Sequence, residues 1–275
     1  MASPRRTLTA LALVCVAAAG GVVGARWAVQ ELRDPVCAVS AVDRTEQFTP
    51  EQTANASTIS MVSVQRGLSP RAASIALATA IQESKLRNIS YGDADSLGLF
   101  QQRPSQGWGT EEEVTDPVHA AGEFYDRLVQ IEGWQDAVIT EVAQKVQRSA
   151  FPEAYADHEW EGRVLASVLT GETPAGLTCQ LDAPSEVGDA SATADKAARQ
   201  LGSSAQVDGD RLTFTAADRS QAWAVASWAV AHAEAEQIVS VRVDGRAWDR
   251  ETEPMTWAAD AGAPDATTVE VQVAS

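Results

Sequence analysis

Between residues 49 and 171 apolar positions recur at three- and four-residue intervals, which is the spacing of amphipathic helices. Several of these segments begin with a capping side chain followed by proline, as in Thr49-Pro50 and Asp116-Pro117. Glycines such as Gly67 and Gly171 indicate where helices end. Helix starts are predicted at Pro50, Pro70, Pro117, Thr140 and Pro152.

The pattern changes after residues 182–192, a stretch of Pro, Ser, Gly and acidic side chains that is typical of a linker. Alternating apolar and polar positions then predict strands. They lie at residues 211–215, 238–243 and 267–273. We therefore expect a mainly α domain over residues 35–181 and a small α/β domain over residues 193–275.

The first 34 residues have the composition of a targeting segment. Arg5 and Arg6 precede an uncharged run, Thr7–Ala25, that is just long enough to cross a bilayer. Val23-Gly24-Ala25 offers a cleavage site, so secretion after cleavage is one alternative. We favour an uncleaved single-pass anchor in the cytoplasmic membrane, with a cytoplasmic tip and the bulk of the chain outside.

The chain carries a formal net charge of −17 over 275 residues. So negative a chain is unsuited to nucleic acid, because affinity for phosphate backbones depends on Lys and Arg. The three histidines, His119, His158 and His232, are far apart and lack metal-ligand spacing. We therefore expect no metal, no cofactor and no nucleic-acid partner.

Two cysteines, Cys37 and Cys179, fall in the part of the chain expected outside the cell, where disulfides persist. A bridge between them would close a long loop and stabilise the fold by about 4–5 kcal/mol in the chain-entropy model. The alternative is a pair of buried free thiols. We predict the disulfide.

Glu83 is the first candidate for chemistry. It lies near the C-terminal end of a predicted helix of small and apolar residues. Partial negative charge from the last carbonyls and desolvation by apolar neighbours would both raise its pKa. A carboxylic acid that stays protonated near neutral pH is what cleavage of a glycosidic bond needs. Most glutamates at helix ends are simply solvated.

Glu83-Ser84 is followed, with eighteen residues from Glu83 to Gln101, by Gly98-Leu99-Phe100-Gln101. This arrangement resembles the motif of lytic transglycosylases and goose-type lysozymes, in which Glu-Ser precedes Gly-Leu-Met-Gln. The wider string, with Asp116-Pro117 and residues 143–152, is similar to secreted lysozyme-like proteins of Gram-positive bacteria. The resemblance covers residues 35–180 and implies that the mainly α domain is lysozyme-like.

The resemblance also implies roles for single residues. Glu83 matches the catalytic acid, and Gln101 would hydrogen-bond a sugar substituent. Gly98 would allow the sugar chain close to the backbone, and Ser96 would contact the same sugar.

Two aromatic residues are further candidates for the substrate cleft. Trp108 offers a face for stacking on a sugar ring, and Tyr155 lies where related clefts place a tyrosine. Each has an alternative role in packing, Trp108 in a loop and Tyr155 in the core.

The reaction has two versions. A lytic transglycosylase uses one glutamate as acid and then base, whereas a hydrolase needs a water that a second carboxylate usually activates. Asp93 and Asp95 are candidates for that carboxylate, although aspartates in such loops more often form turns. The tyrosine-asparagine motif that closes many transglycosylase domains is not visible in Val164–Gly171.

The sequence is compatible with three functions. The first is an enzyme that cleaves peptidoglycan glycan strands, and the second is a catalytically silent module that binds the same strands. The third is an assembly protein whose C-terminal domain is the working part. It would be indicated by an exposed apolar patch near the tryptophans of that domain, which are Trp223, Trp228, Trp248 and Trp257. The pairing of Glu83 with Gln101 favours the enzyme.

Overall fold

A computed structural model of the chain describes residues 34–147 and 152–275. Within it, residues 36–275 form one compact unit. The helices are α1 (Pro50–Gln65), α2 (Pro70–Ser84), α3 (Glu111–Val114), α4 (Pro117–Leu128), α5 (Ile139–Gln147), α6 (Glu159–Leu169), α7 (Ala190–Leu201) and α8 (Arg219–Ala231). Two 3-10 helices span Pro104–Gln106 and Pro152–His158.

The strands form two antiparallel sheets. The first sheet has the order β2-β1-β3, and the second has the order β4-β5-β9-β6-β7-β8. The strands are β1 (Val36–Ala41), β2 (Arg44–Phe48), β3 (Leu177–Gln180), β4 (Gln206–Asp208), β5 (Arg211–Thr215), β6 (Ile238–Val243), β7 (Arg246–Asp249), β8 (Ala258–Ala259) and β9 (Thr268–Val273).

The expectation of a mainly α lysozyme-like domain is wrong as a fold class. The structure is mixed α/β, with 42% helix and 18% strand, and the region expected to be mainly α contains the whole β2-β1-β3 sheet. Its central strand, β1, pairs with β3 from the far end of that region. A nearly continuous apolar run such as that of β1 has no period that distinguishes a strand from a helix.

The prediction of a hydrophobic segment over residues 1–34 falls on residues 1–33, which lie outside the described residues. In the part of the chain that is described, no helix is both long and apolar enough to cross a membrane.

The helix starts predicted from capping residues are confirmed for α1, α2 and α4. Thr49 Oγ1 accepts a hydrogen bond from the backbone N–H of Gln52, and Gln52 Oε1 accepts one from the N–H of Thr49. Asp116 Oδ1 accepts from the N–H groups of Val118 and His119. These interactions are local, which is why the sequence predicts them. Pro152 begins a 3-10 helix that leads into α6.

Helix α2 is buried on nearly all sides, and its main packing partner is α6. The two backbones approach closely at Gly162, where an added Cβ would lie 2.6 Å from the carbonyl oxygen of Ser74. The small side chains of α2, such as Ala73 and Ala76, leave room for this contact. Packing thus fixes helix α2 along its length, and its last turn carries Glu83.

The segments before and after residues 182–192 share contacts. Helix α8 packs against α1 and α6, and the indole N–H of Trp257 donates to the carbonyl oxygen of Leu177 in β3. The predicted linker therefore connects segments that pack on one another. All four tryptophans proposed as a possible exposed patch, Trp223, Trp228, Trp248 and Trp257, are buried.

The predicted disulfide is confirmed. Cys37 and Cys179 are bonded and face each other in the register of β1 and β3. The bond joins residues 142 positions apart, so it closes most of the chain that carries the candidate site.

Candidate functional site

Glu83 lies in the last turn of α2, and its carboxylate is half-buried. The hydroxyl of Tyr155 donates to Glu83 Oε1 at 2.6 Å, and Gln147 Nε2 donates to the same oxygen at 3.3 Å. Tyr155 is itself buried. Both of these partners of the carboxylate, taken from the described residues, are neutral groups.

The environment of Glu83 raises the pKa of its carboxyl. Burial is the main cause, because it disfavours the charged form. The hydrogen bonds from Tyr155 and Gln147 act in the opposite direction, but they do not cancel the effect of burial. Glu83 can therefore hold a proton at a higher pH than an ordinary glutamate and can act as a general acid.

The turn that follows Glu83 has an unusual backbone. Lys85 and Leu86 both have positive φ angles, 55° and 58°, a region that residues with a Cβ rarely occupy. Two amides of α1 hold this turn, since Gln52 Nε2 donates to the carbonyl oxygen of Lys85 and Asn55 Nδ2 donates to that of Leu86. Such geometry is found where surrounding contacts enforce it, often at functional sites.

The segment Gly98–Gln101 lies beside the end of α2. Ser84 Oγ donates to the carbonyl oxygen of Leu99 at 2.7 Å, and Gln147 Nε2 donates to that of Phe100, also at 2.7 Å. The two parts of the motif, eighteen residues apart in sequence, are therefore joined directly. Gln147 contacts both Glu83 and the second part of the motif.

Gly98 and Gln101 both contact backbone carbonyl groups of the protein. Gly98 has φ 76°, and a Cβ there would lie 2.2 Å from the carbonyl oxygen of Val114. The close approach at Gly98 is thus to the protein's own backbone. Gln101 Nε2 donates to the carbonyl oxygens of Tyr91 and Gly98, each at 3.3 Å, so its amide orders the loop before it.

The candidate second carboxylates differ. Asp95 forms an ion pair with Arg103 at 2.7 Å and accepts a hydrogen bond from the N–H of Ser105. The Ser105 backbone N–H and the Arg103 guanidinium hold the pKa of Asp95 well below its usual range. Asp93 is exposed, and its carbonyl accepts from the N–H of Ser96, whose side chain is buried.

The two aromatic candidates are placed differently from each other. Tyr155 contacts Glu83, whereas Trp108 is buried with the guanidinium carbon of Arg127 lying 3.1 Å from its ring centroid. One face of Trp108 is therefore already covered by a cation. The exposed aromatic of this region is Tyr91, whose side chain is 71% exposed and whose carbonyl is bound by Gln101.

Sequence reasoning missed Gln147 and Tyr91. Gln147 lies on the last turn of α5, and a glutamine there is indistinguishable by sequence from a solvated one. Tyr91 lies in the loop between the two parts of the motif, where an aromatic residue beside a glycine was a usable signal.

Within residues 34–147 and 152–275 no group of three or more His, Cys, Asp or Glu side chains is arranged to hold a metal ion. The sequence matches no protein-family model, and no curated protein matches it at a significant level. The function must therefore be argued from the geometry of the site.

Proposed function

We propose that this protein is an enzyme that cleaves the glycan strands of peptidoglycan, with Glu83 as its general acid. The observation that carries the proposal is the half-buried Glu83 carboxyl, whose pKa is raised and which receives hydrogen bonds from Tyr155 and Gln147. A carboxyl that stays protonated can donate its proton to the glycosidic oxygen as the bond to that oxygen breaks.

Asp95 favours the transglycosylase version of the reaction. Its carboxylate already binds Arg103 and the N–H of Ser105, and its lowered pKa makes it a weak base. In the proposed reaction Glu83, once deprotonated, accepts the proton of a substrate hydroxyl as that oxygen attacks the sugar carbon. One carboxyl thus acts first as acid and then as base, and the product is an anhydro sugar.

Substrate contacts are proposed for the loop that precedes Gln101. The exposed ring of Tyr91 supplies a face on which a sugar ring can stack, the role that the sequence had suggested for Trp108. Gln101 and Ser96 hold this loop in place. Gln101 keeps its proposed contact with a sugar substituent, since the oxygen of its amide can accept a hydrogen bond.

The site of action proposed is the outer side of the cytoplasmic membrane. The basic and apolar pattern of the N-terminal segment supports an anchor there, and the Cys37–Cys179 disulfide supports an oxidising compartment. Peptidoglycan glycan strands are found in that compartment, so the proposed substrate and the proposed location agree.

The proposal is tested with the full-length chain, purified in a mild detergent and incubated with purified peptidoglycan. Mass spectrometry of the released fragments identifies the products. We expect fragments with anhydro ends from the wild type and a loss of about a thousandfold in rate for Glu83→Gln. Glu172→Gln is the matched control, because Glu172 is exposed in the turn after α6.

The products also separate the alternatives. Reducing ends instead of anhydro ends would show a hydrolase and would call for an Asp93→Asn variant. A wild type that sediments with the wall but releases nothing would leave the silent binding module as the function.

A further inference from the structure

A cavity of about 710 Å³ lies next to the candidate site. Its apolar lining residues are Trp108, Ile131 and Val146, and its uncharged polar ones are Gln106, Gln130 and Gln147. Two cations, Arg127 and Lys145, complete the lining. A volume of this size is typical of a site for a small ligand or a short peptide.

The charge of the cavity is opposite to that of the chain. The chain carries a net charge of −17, yet none of the described residues that line this cavity is acidic. Arg127 is fixed, since it lies over Trp108 and donates to the carbonyl oxygen of Gly107 at 2.8 Å. Lys145 is exposed at the end of α5. The cavity therefore suits an anionic ligand in a molecule that otherwise repels anions.

Gln147 connects the cavity to Glu83. Gln147 is one of the lining residues, and its Nε2 donates to both Glu83 Oε1 and the carbonyl oxygen of Phe100. A group bound in the cavity thus lies one side chain away from the carboxyl that would cleave the glycan. An anion bound there would therefore lie close to the Glu83 carboxyl.

We infer that this cavity binds the acidic peptide carried by every second sugar of peptidoglycan, an assignment that rests on the proposed function. The lining matches such a peptide group by group. Arg127 and Lys145 bind a carboxylate, the amide of Gln130 pairs with a peptide group, and Trp108 and Ile131 contact methyl groups. The enzyme would then prefer glycan strands that still carry their peptides.

Direct binding tests the inference without relying on cleavage. The probe is the N-acetylated tripeptide N-acetyl-L-alanyl-γ-D-glutamyl-L-lysine, which is net negative because its acetyl group removes the N-terminal charge, titrated by calorimetry into the full-length protein at low salt. We expect measurable binding by the wild type and by Glu83→Gln, with about tenfold weaker binding by Lys145→Gln. Lys145→Arg should retain binding. Arg211→Gln, an exposed change on β5, is the matched control for loss of one positive charge.

A cleavage assay complements the titration. Lys145→Gln should lower kcat/KM about tenfold on peptide-carrying strands and leave it unchanged on strands from which the peptides have been removed.

The two proposals fail in different ways. Cleavage by the wild type without tripeptide binding, or equal binding by Lys145→Gln, overturns the cavity assignment and leaves the proposed function intact. Tripeptide binding without cleavage overturns the proposed function and supports the cavity. Binding of glycerol phosphate but not of the tripeptide would assign the cavity to a phosphate polymer and overturn its assignment to the peptide.

Discussion

Helices α2 and α8 are alike in most of their length and differ at their C-terminal ends. Both are rich in alanine and buried on nearly every side. Helix α8 is followed by His232, whose ring nitrogen Nδ1 donates to the carbonyl oxygen of Trp228 and whose ring stacks on that tryptophan. Helix α2 ends instead with the half-buried carboxylate of Glu83.

The difference separates buried polar groups that stabilise the fold, such as His232 and Arg250, from Glu83, which destabilises the end of its helix. Burial lowers the pKa of His232 to about 4, so the ring is neutral and fits the carbonyl at the helix end. Arg250, also buried in the C-terminal region, donates to the carbonyl oxygens of Asp182, Ala233 and Ile238. Glu83 places a carboxylate at the negative end of a helix, which costs stability. Residues that break a local rule in this way are expected at functional sites.

The largest expected effect tests whether the two regions are separable. Replacing Cys37 and Cys179 by serine removes a cross-link between residues 142 positions apart and should cost about 5 kcal/mol of unfolding free energy. Because α8 packs on α1 and α6, we expect one unfolding transition that moves as a whole. Calorimetry of the wild type and the double variant checks this. Two transitions, of which only one moves, would show that the C-terminal region is an independent domain.

The second prediction compares Glu83 with Arg250 directly. Glu83→Gln should lose about a thousandfold in activity while its stability stays equal to or above that of the wild type. Arg250→Met should do the opposite, since three carbonyls lose their donor at a cost of about 3 kcal/mol, with activity per folded molecule unchanged. Denaturant unfolding and the peptidoglycan assay give both quantities. If Glu83→Gln lost as much stability as Arg250→Met, Glu83 would also be a structural residue, and the proposed difference between the two would be wrong.

The stability difference for Glu83 should depend on pH. The pKa of Glu83 is higher in the folded state than in the unfolded state, so the folded state binds the proton more tightly. Wild-type stability therefore falls as pH rises from the ordinary glutamate pKa through the raised one. The advantage of Glu83→Gln should be absent at pH 4 and largest at pH 8.

The sequence predicted local structure better than distant pairing. Thr49 and Gln52 are three residues apart, so the start of α1 follows from the residues themselves. Strand β1 pairs with β3, which lies at the other end of the disulfide loop, and nothing in either short strand identifies its partner. The mainly α expectation failed for this reason. Helix α7 was also missed, because its first residues fall in the stretch that has the composition of a linker.

In the candidate site too, contacts between residues close in sequence were easier to predict than contacts between distant segments. The spacing from Glu83 to Gln101 can be recognised in the sequence alone. In the structure, Ser84 Oγ donates to the carbonyl oxygen of Leu99, which joins the two parts of the motif. The direct partners of Glu83 were harder to predict, because Tyr155 and Gln147 come from segments more than sixty residues away. The cation over Trp108 comes from α4 and could not be inferred from the loop that holds the tryptophan.

The next prediction compares two buried tyrosines. Tyr155 donates to Glu83, whereas Tyr125 donates to the carbonyl oxygen of Ile59 in the core. Tyr155→Phe removes a hydrogen bond that lowers the pKa of Glu83, so that pKa should rise further. The alkaline limb of the kcat/KM profile should move to higher pH, with about a tenfold loss at the optimum.

Tyr125→Phe is the matched control for the loss of a buried hydroxyl. It should lower stability and leave the pH profile in place, because its hydroxyl binds a backbone carbonyl. An unshifted profile in Tyr155→Phe would mean that Glu83 is not the group that titrates.

The smallest effect distinguishes the two aromatics of the loop region. Tyr91 is exposed, so Tyr91→Ala should raise KM about fivefold through loss of stacking on a sugar ring, with kcat and stability nearly unchanged. Trp108 packs under Arg127, so Trp108→Phe should lower stability while KM on peptide-free strands stays constant. Steady-state rates on peptide-free strands and thermal unfolding of both variants provide the comparison. If Trp108→Phe raised KM on these strands and Tyr91→Ala did not, the sugar would stack on Trp108, and Arg127 would have to move away from that ring when substrate binds.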